Sequence, residues 1–318
     1  MAIPTTRTRE KAQIYIDAAK CDGCGKCVEV CNDSSLELVN KHIPNAIPEA
    51  KPTQIAKVKA ASFFGCIACG HCMATCPQMA ITINGRTLSP DDLFKLPTIR
   101  NKANYEQLLT LLQRRRSIRE FTDKNVEPEI IEKILEAAST SPMGCPPSDV
   151  NVLVFDTKEK NHNFAKDYCA YLKGKRWFVS RWFLALLRPL WGKDNDEMFR
   201  NFIKPLSDTY IDEMEKGINL INYDAPLAMY FYGSPFTDPA DPIVAATTAM
   251  YAAESLGLGT CMIGAIHWAF QYGDDAKKLR EKYGVRYKSK EGIVVIFGYP
   301  SVRYRKGIKR TFASVTYN

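Results

Sequence analysis

Residues Cys66–Pro77 read CIACGHCMATCP, with four cysteines at the spacing C-x2-C-x2-C-x3-C and a proline directly after the last. Residues Cys21–Cys31 read CDGCGKCVEVC and repeat the spacing. A turn of this kind lets three thiolates converge on one metal centre while the fourth points away. Zinc sites use two separated C-x2-C pairs instead. The two runs therefore favour iron–sulfur clusters over zinc.

The paired runs resemble those of the two-cluster bacterial ferredoxins, in which the fourth cysteine of each run ligates the other cluster. This resemblance implies two [4Fe-4S] clusters with crossed ligand sets. One set is Cys21, Cys24, Cys27 and Cys76, and the other is Cys66, Cys69, Cys72 and Cys31. Asn32 stands where the pattern has proline. The long segment between the runs predicts an inserted loop or hairpin, and it contains His42, Pro44, Pro48 and Pro52.

The chain has 318 residues and eleven cysteines, of which Cys145, Cys169 and Cys261 lie outside the two runs. We interpret Cys169 and Cys261 as buried small hydrophobes and Cys145 as a packed loop residue. No apolar signal segment is visible, and no uncharged apolar run reaches the roughly 18 residues of a membrane span. We therefore expect a cytoplasmic protein without membrane contact.

The formal net charge of +8 overstates the charge of the protein with its clusters bound. Two oxidised [4Fe-4S] clusters with four thiolates each carry about −2 apiece and so remove roughly half of the excess. The basic residues are also spread along the chain, apart from Arg114–Arg116 and the last residues. Nucleic acid is therefore not an expected partner.

The sequence pattern changes near residue 100, which predicts two domains, residues 1–100 and residues 101–318. Strands are predicted at 81–83, 151–155, 228–232 and 293–297. A turn at Asn84–Gly85 and a helix start near 88–92 should follow the first of them. Helices are predicted over 105–117, 128–140 and 241–259. Residues 101–318 should therefore form α+β or α/β layers.

Four stretches of the second domain carry residues suited to ligand binding. Arg115–Arg119 reads RRSIR and either wraps a phosphate or is a solvated basic helix end. Ser141–Ser148 reads SPMGCPPS and either holds a flat ring or is an ordinary connector. In Gly257–Ala265 the glycines let the backbone pass close to another group. Phe297–Pro300 is followed by cations that reach a phosphate, among them Lys309 and Arg310.

In this order, and with Asp224–Pro226 between them, these stretches resemble the landmarks of the FMN-dependent nitroreductase family over residues 105–318. The whole chain resembles the ferredoxin–nitroreductase fusions. The resemblance implies an α+β fold, with a two-cluster ferredoxin-like domain followed by a nitroreductase-like α+β sandwich. It also implies a homodimer with FMN at the subunit interface. The FMN-binding residues that it implies are Arg115, Arg116, Ser117, Arg119, Pro142, Met143, Gly144, Ser148, Gly264, Ala265, Lys309 and Arg310. The family's loop usually has Asn and Gln where this chain has Pro146 and Ser148.

Residues 161–222 lack the family's pattern, and their segment 172–193 is rich in tryptophan and cations. One interpretation is a basic amphipathic element that touches a membrane or a quinone. We favour a lid over the active site or the dimer partner, because Arg176, Arg181 and Arg188 interrupt a wide apolar face. His267 and Trp268 either face the substrate or pack in the core.

The leading hypothesis is an enzyme that carries electrons from a low-potential donor through two [4Fe-4S] clusters to FMN, which reduces a small organic acceptor. The acceptor class is a nitro compound, enone or quinone, and the donor is an external ferredoxin, a flavodoxin or NAD(P)H. No catalytic side chain is identified. One alternative is an electron-transfer module that serves a protein partner. Another is a reductive dehalogenase or a flavin-modifying enzyme on the same scaffold.

Overall fold

A computed structural model describes residues 12–31, 34–40, 54–60, 65–144 and 149–317. Predictions for Asn32, His42, Pro44, Pro48, Pro52 and Cys145–Ser148 lie outside these residues. Two compact units can be distinguished. The described residues up to Lys102, with 143–144, 149 and 236–238, form the first unit, and the remaining described residues form the second.

The first unit contains two short helices and four strands. The helices are α1 (Lys26–Glu29) and α2 (His71–Thr75), and the strands are β1 (Gln13–Ile16), β2 (Leu36–Asn40), β3 (Gln54–Val58) and β4 (Ile81–Asn84). Strand β1 pairs antiparallel with β4, and β2 pairs antiparallel with β3. The β2–β3 pair is the hairpin that was one of the two predictions for the segment between the cysteine runs.

The two halves of this unit repeat each other, and each cysteine of the first run has its counterpart 45 residues later. Helices α1 and α2 both follow a glycine in the left-handed region, Gly25 at φ 78° and Gly70 at φ 77°. Gly23 has a separate constraint, since a Cβ there would lie 2.1 Å from the carbonyl oxygen of Gln54. The absence of a side chain at these positions lets the chain bend around the cysteines without strain.

The strand predicted at 81–83 is confirmed as β4, but the elements after it differ from the prediction. The turn lies at Gly85–Leu88 and not at Asn84–Gly85, because Arg86 and Thr87 take left-handed φ values of 54° and 65°. The predicted helix start at 88–92 is a single 3-10 turn, Pro90–Asp92. Ser89 and Asp92 cap it reciprocally, and the backbone is already extended at Leu93, with φ −78° and ψ 130°.

The second unit has seven helices and four strands in its described residues. The helices are α3 (Tyr105–Arg114), α4 (Pro128–Ser139), α5 (Lys158–Gly174), α6 (Arg181–Met198), α7 (Lys204–Glu215), α8 (Asp241–Ser255) and α9 (Gly273–Tyr283). Helix α6 is kinked at Gly192, whose φ of 84° and ψ of 172° are not helical. The strands are β5 (Val150–Phe155), β6 (Leu227–Gly233), β7 (Gly259–Ile263) and β8 (Gly292–Gly298). A π-helical turn, Phe199–Ile203, joins α6 to α7, and a 3-10 helix, Gly264–Phe270, follows β7.

The four strands form one antiparallel sheet in the order β5-β6-β8-β7. An antiparallel sheet with helices is α+β, so the predicted fold class is confirmed and the α/β alternative is wrong. Every residue of the central strand β6 is buried. Small residues of α8, such as Ala246 and Ala249, are fully buried, which lets α8 lie close to the sheet and to α4.

A second apolar layer forms between the sheet and helix α5 with the 3-10 helix. Phe164 of α5 stacks on Phe270 with ring centroids 5.9 Å apart, and Phe270 stacks on Tyr230 of β6 at 4.7 Å. All three rings are fully buried. Burial of this much aromatic surface is the main stabilising contribution from this layer. No helix of the described residues is both long and apolar enough to cross a membrane.

Candidate iron–sulfur and flavin sites

The first group of thiols surrounds Cys27, which follows the left-handed Gly25 and is buried. Burial raises the pKa of the Cys27 thiol, and the negative charges of Cys21, Cys76 and Cys24 raise it further. The structure therefore brings three cysteines of the first run together with the last cysteine of the second run.

The second group surrounds Cys72. Burial raises the pKa of its thiol to about 12, and the neighbouring Cys66, Cys69 and Cys31 contribute in the same direction. This group has the converse composition to the first group, because it combines the last cysteine of the first run with three cysteines of the second run. Strand β1, before the first run, pairs antiparallel with β4, after the second run, and the helices α1 and α2 of the two runs contact each other.

Four converging thiolates repel one another, so such a group needs a cationic centre. Backbone N–H groups donate to the sulfurs: Ser35 to Cys31 at 3.3 Å, Ala56 to Cys21 at 3.5 Å and Ala80 to Cys76 at 3.3 Å. Such N–H donors to sulfur are a known feature of iron–sulfur sites. Among the described residues, no group of three or more His, Cys, Asp or Glu side chains is placed to hold a single metal ion. A four-iron cube takes one thiolate per iron, so its ligands are spread more widely than those of a single zinc ion.

In the second unit, the basic stretch after α3 lies against strand β7. Ser117 forms a parallel bridge with Thr260, and the N–H of Ile118 donates to the Thr260 carbonyl at 2.9 Å. Gly259 makes this approach possible, because a Cβ there would lie 2.6 Å from Cγ1 of Ile118. Two residues of β7 that are far away in sequence, Gly259 and Thr260, therefore hold the RRSIR motif in place.

Cys261 of β7 marks where several predicted site residues meet. Burial raises the pKa of its thiol, whereas Arg119, a side-chain hydrogen bond with Ser117, and Arg115 lower it. Arg115, Ser117 and Arg119 thus lie together beside β7. The buried state predicted for Cys169 and Cys261 is confirmed, but Cys261 also has these polar neighbours, which its sequence context did not indicate.

Two tyrosines that sequence reasoning missed stack on these arginines. The Arg119 guanidinium lies 5.7 Å from the ring centroid of Tyr223, and the Arg116 guanidinium lies 6.0 Å from that of Tyr304. Tyr223 directly precedes the Asp224–Pro226 motif and has a left-handed φ of 56°. The Asp224–Pro226 motif indicated a landmark at this position in the sequence, but it did not indicate the contact of Tyr223 with Arg119.

A buried polar network holds that turn. The Asn222 side chain is fully buried and donates through Nδ2 to the Asn161 carbonyl at 2.7 Å and to Asn161 Oδ1 at 2.6 Å. Asn219 donates to Asn222 Oδ1 at 2.6 Å and to Asp224 Oδ1. His162 Nδ1 lies 2.7 Å from the same Asp224 oxygen. Because these groups satisfy one another, the left-handed turn that carries Tyr223 is fixed.

Gly264 and Ala265 begin the 3-10 helix immediately after β7, and Gly264 is exposed. The Tyr168 hydroxyl donates to the Ala265 carbonyl at 3.0 Å, which anchors this turn to α5. Of the two residues left open by the sequence, His267 is buried with Nδ1 3.0 Å from the Tyr230 hydroxyl, and burial lowers its pKa. Trp268 is exposed and stacks on Tyr272.

The remaining residues predicted for the FMN site have fewer contacts with the Arg115–Arg119 stretch and with β7. Pro142, Met143 and Gly144 follow α4, and Pro142 and Gly144 are exposed. Neighbouring Ser141 donates to Thr248 at 2.8 Å. Lys309 and Arg310 lie in the exposed segment 301–317, which is neither helix nor strand. Within the part of the chain that the structure describes, no hydrogen bond or ion pair joins Lys309 or Arg310 to the RRSIR stretch.

Comparison with known families matches residues 112–299 to the nitroreductase family and residues 20–81 to the 4Fe-4S dicluster domain. The first match spans more than half of the 318 residues, so the chain belongs to the nitroreductase family. It is an oxidoreductase in which an iron–sulfur ferredoxin domain precedes the nitroreductase domain. A comparison with curated proteins found no match.

Among solved structures, the chain is similar to a nitroreductase with bound FMN from Desulfitobacterium hafniense, with 23% identity over 66% of this chain and 97% of the other, at a TM-score of 0.47. It is also similar to a nitroreductase with bound FMN from Bacteroides fragilis, with 18% identity over 68% and 100% of the two chains and a TM-score of 0.47. A BluB-like flavoprotein from Clostridium difficile has 14% identity over 64% and 94%, with a TM-score of 0.44. Similarity at this level concerns the fold alone.

Proposed function

We propose that the protein carries electrons from a low-potential donor through two [4Fe-4S] clusters to FMN and so reduces a small organic acceptor. The observation that carries the proposal is the occurrence, in one chain, of two convergent groups of four thiols and of a cationic stretch held against β7. Clusters pass single electrons, whereas a flavin stores two and delivers a hydride. A chain with both iron–sulfur clusters and a flavin can use electrons from one-electron donors for a two-electron reduction.

The proposed cluster ligands are the two crossed sets, and two features support them. The thiols around Cys27 and around Cys72 are mutual neighbours within each set. Backbone N–H groups donate to Cys21, Cys31 and Cys76. The protein's contribution is to hold the thiolates apart and to supply dipoles that stabilise the negative cluster.

The proposed FMN site is built around Arg115, Ser117 and Arg119. Their cations and hydroxyl suit a phosphate or an anionic ring edge. The family resemblance implies that the backbone of exposed Gly264 and of half-buried Ala265 approaches the ring, and that Pro142, Met143 and Gly144 cover it. Arg116, Ser148, Lys309 and Arg310 complete the proposal. Their role rests on the family resemblance alone.

A homodimer is part of the proposal, since apolar side chains are exposed in two places that a partner would cover. Helix α3 has no buried residue, although its Leu108 and Leu112 belong to an apolar face. Phe312 and Val315 of the segment 301–317 are also exposed. We further propose a domain division into 1–100 and 101–318, a cytoplasmic location, and a role for residues 161–222 as a lid or as an excursion over the dimer partner. The acceptor is a nitro compound, enone or quinone, and the donor is a ferredoxin, a flavodoxin or NAD(P)H.

The test is anaerobic purification followed by metal, sulfide and flavin analysis. We expect about eight irons, about eight acid-labile sulfides and one FMN per chain. The Cys72→Ser variant should lose about half of the iron and the EPR signal of one cluster but keep the FMN. Cys169→Ser, which changes a buried cysteine outside both groups, is the matched control and should keep both. Zinc in place of iron, or no flavin in the wild type, would refute the proposal.

Turnover separates the enzyme from the electron-transfer module. Dithionite-reduced protein should be reoxidised by at least one nitro compound, enone or quinone over repeated cycles. If none of a broad panel supports turnover while a protein acceptor does, the module is the correct interpretation.

A further inference from the structure

Helix α6 has an exposed apolar face that no described part of the chain covers. Trp182, Leu186 and Leu190 follow one another at four-residue intervals and therefore share one side of the helix. Their exposed fractions are 65%, 64% and 83%. Ala185 and Pro189 lie between them and are exposed as well. A contiguous exposed face of this kind marks a site of contact with another apolar body.

The opposite side of α6 is firmly packed, so the outward direction of this face is fixed. Leu184 is fully buried. Trp191 stacks on Phe199 with ring centroids 4.8 Å apart, and Phe183 lies 5.3 Å from Phe178. The helix is therefore apolar on both sides, and only its inner side is covered by the protein.

Cations border the exposed face, and the segment that carries the face contains no carboxylate of its own. Residues 176–193 contain no Asp or Glu. Arg181 and Arg188 are seven residues apart and so lie along one edge of the face. Arg181 has no ion pair among the described residues, and Arg188 is 3.9 Å from Asp196, which already accepts two hydrogen bonds from Arg200.

One of the three arginines that argued against an amphipathic surface, Arg176, is paired with helix α7. Arg176 pairs with Asp208 at 3.4 Å and Asp212 at 3.2 Å, both on α7. The preference for a lid over an amphipathic element rested partly on Arg176, and the remaining two arginines flank the apolar face instead of interrupting it. Trp and Leu on one face with Arg at its border are typical of helices that lie in the membrane interface.

We infer that the α6 face, defined by Trp182, Leu186 and Leu190 with Arg181 and Arg188, binds the surface of an anionic phospholipid bilayer. The arginines match acidic headgroups, and the apolar side chains enter the acyl boundary. A second copy of the chain fits less well, because a symmetric contact through this face offers the arginines no carboxylate. A small ligand would need a concave pocket, and this face is the convex surface of a helix.

The test is flotation of the holoprotein with vesicles, which requires no turnover and is independent of the proposed flavin chemistry. Vesicles of phosphatidylcholine with about a quarter phosphatidylglycerol should bind the wild type, and binding should weaken with added salt. Leu186→Glu and Leu190→Glu should each weaken the partition coefficient about tenfold or more. Arg181→Gln and Arg188→Gln should each weaken it about fivefold.

Ile218→Glu, an exposed apolar position outside α6, is the matched control and should bind as the wild type does. Iron content and the visible spectrum confirm that each variant is folded. Equal binding of wild type, Leu186→Glu and Leu190→Glu would overturn the inference. So would absence of binding at low salt. Conversion of a dimer to a monomer by Leu190→Glu, without vesicle binding by the wild type, would show that a second copy covers the face.

Discussion

Gly259→Ala tests whether the contact between β7 and the RRSIR stretch holds the proposed flavin site together. The added Cβ would lie 2.6, 2.8 and 2.9 Å from three side-chain atoms of Ile118. Carbon atoms are at their optimal separation at about 3.5–4.0 Å, so three contacts are each too short by about an ångström. Ile118 is itself buried and its N–H is bonded to Thr260, so it cannot move away without breaking that bond.

Overpacking of this kind costs about 1–3 kcal/mol. For a domain of this size each kcal/mol lowers Tm by about 2–4 °C, so we expect a fall of roughly 2–12 °C. Displacement of Ser117 and Arg119 should also weaken FMN binding by about tenfold, since one lost charge-assisted hydrogen bond has that effect. Thermal unfolding followed by flavin release, and FMN titration of the deflavinated protein, measure the two quantities.

Gly174→Ala is the matched control for this substitution. The nearest atom to its added Cβ is 3.9 Å away, and it lies at the end of α5. Its Tm should equal or exceed that of the wild type, because alanine is the better helix former. A Gly259→Ala protein with the Tm and the FMN affinity of the wild type would refute the reasoning, since the β7 contact would then be too loose to position the arginines.

Two further predictions concern buried polar groups of the same unit. Asn222→Ala removes three hydrogen bonds and leaves Asn161 and Asn219 with unpaired groups, which should lower the free energy of unfolding by about 1–3 kcal/mol. The exposed control Asn201→Ala should change Tm little. Equal Tm values in the two variants would contradict the role of the network. Burial lowers the pKa of His267, so the unfolded chain takes up a proton before the folded one does, and stability should fall as the pH drops below about 6.5. Tm measured from neutral to acidic pH should therefore decline less steeply in His267→Gln than in the wild type, and parallel declines would exclude His267 as a contributor.

Local pattern was sufficient for the iron–sulfur domain and for six of the eleven helices and strands in the described residues of the second unit, whereas the individual cluster ligands stay a prediction. The cysteine runs carry their own turn geometry, because Gly25 and Gly70 supply the left-handed backbone within the run itself. The helices α3, α4 and α8 and the strands β5, β6 and β8 were visible as apolar periodicities of the right length. Strand β7 was missed, because Gly257 and Gly259 mark it as a loop and only pairing with β8 makes it a strand.

The sequence by itself determined that this chain holds iron–sulfur clusters in front of a mixed helix and sheet domain, since ligand spacing and hydrophobic period are properties of neighbouring residues. Only the tertiary structure decided that Ser117 forms a bridge with Thr260, that the Arg119 guanidinium stacks on the Tyr223 ring, and that His267 is buried next to Tyr230. It also decided the direction of α6. The sequence shows that the helix is apolar, but the packing of Leu184 and Trp191 inward leaves Trp182, Leu186 and Leu190 facing outward. Each of these outcomes depends on contacts between residues far apart in the chain, which no local pattern contains.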